Sequence, residues 1–166
     1  MAYESSVSAR QPASEPDPAS AARDIIDANH YLTLATADSA GSPWASPVWY
    51  AHEGYTSFFW VSRPQARHSR NLVRRATASV VIFNSTVPPQ QAQAVYLEAL
   101  AEELGGAERD RAIAIFSRRS RALGLSEWHA AEVTAPAPQR LYRAIASACY
   151  ILTPHDHRLP VKMDGS

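Results

Sequence analysis

The chain has 166 residues, 46% of them apolar and 19% charged, with sixteen basic and sixteen acidic side chains. That length supports one domain with its own core and is short for two. A formal net charge of zero excludes a global pull toward nucleic acid or acidic membrane, so any electrostatic function has to be local.

Residues 1–20, MAYESSVSARQPASEPDPAS, hold three prolines and five serines and little to bury, which predicts a disordered tail. Asp17-Pro18 reads as a helix N-cap followed by proline at the first helical position, and AARDIIDANH as a short helix. YLTLATAD alternates as a strand, and SAGSP is its turn. WASPVWYA and YTSFFWVS are β-prone aromatic runs joined by HEG, a hairpin signal. Pro47 inside the first run predicts an edge strand or a bulge there.

SRPQARHSRNLVRR, residues 62–75, follows as a helix. Ser62-x-x-Gln65 matches a capping box and predicts a start at residue 63. ASVVIFNS reads as a fully buried strand. AQAVYLEALAEEL is read as a strand from its β-forming opening, and AERDRAIAIFSRRSRAL as a helix after Gly105-Gly106. SEWHAAEV is a short helix. QRLYRAIASACYILTP closes as a strand with Leu141, Ile145 and Ile151 as core candidates. The single cysteine, Cys149, excludes an internal disulfide and reads as a buried, inert thiol. No stretch approaches the roughly 18 apolar residues of a membrane span and no leader pattern occurs, so a soluble, cytoplasmic protein without a membrane partner is expected. Together the elements predict a mainly β fold, a barrel of about six strands with small helices covering it.

The basic helix has two readings. At about 100° per residue, Arg63, Arg67, Arg70 and Arg74 fall on one stripe, with Ala66, Ser69, Leu72 and Val73 opposite. The stripe is either a solvated face answered by the acids between Glu98 and Asp110, or an anion site at a strand-to-helix junction. In the second case free N–H groups, the macrodipole and forked guanidinium bonds would act together. Composition alone does not decide between them.

The span from Leu32 to Leu72 resembles the pyridoxamine 5′-phosphate oxidase-like family of flavin-binding split β-barrels. The resemblance rests on LATADSAGSPWASPVWY, the aromatic strand after it, S-x4-R-H-S-R-N-L, and the ASVVIF strand, and extends more loosely over residues 25–153. It implies a six-stranded antiparallel split β-barrel with short covering helices, occupying residues 21–154 between the tail and a polar C-terminal segment, 155–166. It also implies FMN as cofactor, oxidoreductase activity on a small molecule, and a homodimer with flavin at the subunit interface. By the same resemblance Ser62 supplies a hydroxyl to the FMN phosphate and Arg67 a forked cation. His68 stands where the family often has lysine, which makes a second cation conditional on protonation. Ser46, Pro47, Val48 and Trp49 would run beside the flavin ring, and Val61 along the ribityl chain.

The family's substrate motif near the C-terminus is matched only by HDHR at 155–158, in different order, so vitamin B6 oxidation is not expected. His155 and His157 lack the company of further ligands, and no metal site is predicted. No residue is assigned as catalytic acid or base. The deazaflavin F420 is the alternative cofactor, since its acidic tail would engage Arg63, Arg70 and Arg74. A non-enzymatic binding module using the arginine stripe is the alternative from another class, although zero net charge argues against nucleic acid as the partner.

Overall fold

The computed structural model describes residues 17–153 and 156–163. Most of the expected N-terminal tail, residues 1–16, and His155 lie outside the described residues.

Helix α1 (Pro18–Ala28) starts where the proline places it, with the Asp17 carboxylate accepting the Ser20 N–H at 3.1 Å. It therefore begins inside the stretch assigned to the tail. Its apolar face buries Ala22, Ile25 and Ile26. Strands β1 (Tyr31–Ala37) and β2 (Pro43–Trp49) form a hairpin, turned by Asp38, whose carboxylate accepts from the N–H groups of Ala40 and Ser42. The second hairpin joins β3 (Ala51–Glu53) to β4 (Ser57–Ser62) through Gly54 and Tyr55, both at positive φ. Helix α2 (Arg67–Arg74), β5 (Thr77–Phe83), β6 (Ala94–Glu103), α3 (Gly106–Ala122), β7 (Arg140–Leu152) and the short β8 (Arg158–Pro160) complete the order.

All the pairings are antiparallel, and the strands run β2-β1-β5-β6-β7-β4-β3, with β8 on β7. The sheet curls into a half-barrel. Among the described residues it has eight strands where six were expected, because the β3 and β8 segments are only three residues long and carry little periodicity to read. Pro47 sits on β2 opposite Thr33, and β2 lies at one end of the path, the position where a missing N–H costs no ladder bond. One core fills the barrel, with Trp60, Tyr142, Leu32, Ile82 and Val95 at its centre. A second lies between α3 and the outer side of β3, β4 and β7, with Phe59, Ile113, Phe116 and Leu141.

Four local expectations are corrected. Helix α2 begins at Arg67, not residue 63: Ala66 is its N-cap and offers no side-chain acceptor, while the Ser62 hydroxyl is engaged with His68 instead of capping a helix. Strand β5 alternates between buried and exposed positions, because only the Ala78, Val80 and Ile82 side faces the barrel core. Ile145 is 43% exposed, on the outward side of β7, while Leu141 and Ile151 are buried. The SEWHAAEV segment forms only a 3₁₀ turn, at Ala130–Val133. Cys149 is buried in the barrel, and burial pushes its thiol up to about 11, the behaviour of an unreactive side chain. Among the described residues, no helix is long and apolar enough to cross a membrane, and no three His, Cys, Asp or Glu side chains gather to hold a metal.

Candidate functional site

A cleft of about 500 Å³ opens between the two cores. One side is built by Pro47, Val48 and Trp49 of β2 and by Val61 and Ser62 at the end of β4, with His68 from the first turn of α2. These are six of the eight side chains expected to hold a cofactor. They converge because β2 and β4 end beside each other and the chain turns directly from β4 into α2. The opposite wall was not anticipated from sequence. It consists of Phe116 and Ser120 from the last turns of α3, Leu125, Ser126 and Trp128 from the connection after it, and Gln139. Trp128 carried the one available signal, as an aromatic residue outside any strand; the others belong to no motif.

The walls meet as a run of aromatic edges. Trp49 and Phe116 are perpendicular with centroids 4.5 Å apart, and Phe116 and Trp128 are perpendicular at 5.7 Å. Backbone contacts hold this wall: the Ser117 hydroxyl accepts the Trp128 N–H at 2.9 Å, and the Ser120 hydroxyl donates to the Ser126 carbonyl at 2.6 Å.

The polar end is organised by His68, only 8% exposed. Its Nε2 pairs with the Ser62 hydroxyl at 2.7 Å and its Nδ1 with the Ser46 hydroxyl at 3.1 Å, a chain from β4 through α2 to β2. Burial lowers its pKa, so the imidazole is held neutral and both nitrogens are occupied by hydroxyls. The second cation that the sequence left conditional on protonation is thus disfavoured. Ser46 reaches the site through its side chain, as a partner of His68 rather than as a wall of the cleft.

Arg67 is not among the cleft walls. It occupies the first position of α2, exposed, with its guanidinium 4.6 Å over the indole of Trp44 on β2. Ala66 provides no side-chain cap, so the first-turn N–H groups beside His68 have no side-chain acceptor. The arrangement offers an apolar, aromatic-edged slot with a neutral hydroxyl–imidazole group and an uncapped helix start at one end. Such a slot suits a flat conjugated ring with a polar tail.

The sequence model of the family described as pyridoxamine 5′-phosphate oxidase matches residues 19–151. The chain belongs to that family. The matched span runs from α1 to the end of β7 and so contains every residue of the cleft. No curated protein matches this chain. Among solved structures, a heme-binding protein from Mycobacterium smegmatis superposes with a TM-score of 0.72 at 24% identity, covering 91% of this chain. This chain spans only 60% of that protein's length. The heme storage protein HutZ from Vibrio cholerae aligns with a TM-score of 0.60 at 20% identity, over 75% of this chain and 87% of that one. An FAD-binding protein from Mesorhizobium loti aligns at 0.58 and 20% identity, over 80% of this chain and 90% of its own. At these identities the likeness establishes the fold, a split barrel of the pyridoxamine 5′-phosphate oxidase family.

Proposed function

We propose that the protein is an FMN-binding flavoprotein and acts as an oxidoreductase on a small molecule, with the flavin seated in the cleft between β2, β4, α2 and α3. The observation that carries this reading is the convergence of Pro47, Val48, Trp49, Val61, Ser62 and His68 on one aromatic-edged cleft. The flavin would supply the electron transfer, and the protein its orientation and a substrate cavity. Trp49 and the β2 backbone would hold the ring. Ser62 and the uncapped start of α2 would receive the phosphate, with Arg67 adding charge from the side.

Family membership and the likeness to an FAD-binding protein support a flavin. The likeness to heme proteins raises a competing ligand, but among the described residues His68 is the one histidine lining the cleft, and both its nitrogens are engaged. Among the described residues no free imidazole lines the cleft for a heme iron, which favours flavin. The homodimer implied by the family is part of the same proposal.

Purified protein is expected to be yellow and to bind FMN saturably at one per chain, followed by quenching of flavin fluorescence. Parallel titrations with F420 and heme identify the alternatives. Protein that stays colourless and gives no saturable FMN response sinks the flavin reading.

A further inference from the structure

Trp44 has no place in the cleft, yet it keeps a large indole 41% exposed on an edge strand. Its surroundings account for that exposure. The Arg67 guanidinium lies over its ring at 4.6 Å. One helical turn on, the buried Asn71 donates to the Thr36 hydroxyl at 3.0 Å, and Thr36 in turn donates to the Trp44 carbonyl at 3.3 Å. Residues 67 and 71 share one side of α2. The helix is therefore tied to the same strand residue at two heights, through the Trp44 ring above and its carbonyl below.

Arg67 is held differently from the ion-paired arginines and, like Arg23, Arg119 and Arg158, lies over an aromatic ring. Arg109, Arg111, Arg121, Arg140 and Arg143 each pair with a carboxylate. Arg67 has no carboxylate partner among the described residues and meets an aromatic face instead. A cation held over a ring keeps its N–H donors in the guanidinium plane uncommitted, whereas an ion pair consumes them. The location fits that use. Trp44 and Ser46 lie two residues apart on one face of β2, about 7 Å along the strand, and Ser46 is the residue that bonds His68 at the polar end of the cleft.

We infer that Trp44 is a positioning residue that holds Arg67 beside the polar end of the cleft with its donors free, and thereby sets preference for a phosphorylated ligand. This rests on the flavin reading above and assigns its phosphate selectivity to a residue outside the cleft.

The test compares FMN with riboflavin, which differ only by the phosphate, on the wild-type protein and on Trp44→Ala, Trp44→Phe, Arg67→Ala and the double variant Trp44→Ala/Arg67→Ala. Trp44→Ala should weaken FMN several-fold while changing riboflavin less than about twofold. Trp44→Phe should keep most of the FMN affinity, and the double variant should bind FMN no more weakly than Arg67→Ala alone. A parallel cycle on urea midpoints without ligand measures the Trp44–Arg67 coupling independently of any flavin. Equal weakening of FMN and riboflavin by Trp44→Ala would mark a merely structural role and overturn the inference, as would no change in either, or additive losses in the double variant. Wild-type protein that binds neither flavin overturns the flavin reading and this role with it. The ligand-free cycle then still reports whether the pairing exists.

Discussion

His68 shows how burial changes what a residue type can do. In the sequence it is a candidate cation in an arginine-rich helix. In the fold it is a neutral ring clamped between Ser62 and Ser46. Its pKa is lowered by burial, and so is that of His52, where burial outweighs the opposing pull of Asp27. The sign follows from linkage: a histidine with a depressed folded-state value leaves the unfolded chain binding more protons. The stabilisation is therefore complete above the ordinary histidine value of about 6.5 and is lost as pH falls from there toward the folded-state values. Urea midpoints recorded across this range should drop on acidification, and His68→Gln should make the drop shallower. A midpoint that rises as pH falls would contradict the neutral assignment. The hydroxyl partners of His68 were not readable from the sequence, since Ser46 on β2 and Ser62 on β4 become neighbours of one ring only because the curl of the sheet brings two unpaired strands together.

At the scale of elements, the strands and helices that carry periodicity were legible: α1 from its Asp-Pro start, β1 from alternation, α3 from the spacing through Ile113 and Phe116. The start of α2 was not. Ser62 and Gln65 match a capping box, but the Ser62 hydroxyl makes a different bond that local sequence cannot weigh. The cleft wall after α3 was equally hidden, because it is held by serines bonding to backbone. Ser117 is buried and accepts the Trp128 N–H, while the Leu125 N–H bonds back to the Ser120 carbonyl at 2.9 Å. Ser117→Ala leaves the Trp128 N–H without its acceptor, which should lower stability by about 1–3 kcal/mol. Because Trp128 is also a wall of the cleft, FMN binding should weaken alongside. Urea denaturation and FMN titration of this variant check both effects. A loss of stability with unchanged FMN affinity would mean that Trp128 does not contact the ligand.

At the scale of the molecule, the clearest gap between sequence and fold concerns the outer side of the sheet. ASVVIF reads as a strand buried on both faces, yet Phe83 is 47% exposed, and so are Leu100 at 58% and Ile145 at 43%. Leu100 and Ile145 stand opposite each other across the β6–β7 ladder, so their exposure is contiguous rather than scattered. Leu100 also borders a shallow hollow of about 490 Å³ floored by small side chains such as Ala35, Ser79 and Ala99. An outward apolar pair beside small residues offers a surface that another sheet face can approach closely. The proposed homodimer would cover it, which would reconcile the apolar sequence with the one-sided burial. Sedimentation equilibrium should then give twice the chain mass, and Leu100→Glu, which puts a charge where the partner packs, should shift the protein to monomer without unfolding it. If FMN is held between subunits as the family resemblance implies, that monomer should also bind FMN more weakly. A monomer that keeps full FMN affinity would confine the flavin site to one chain, and a wild-type protein already monomeric at high concentration would leave this face to another partner.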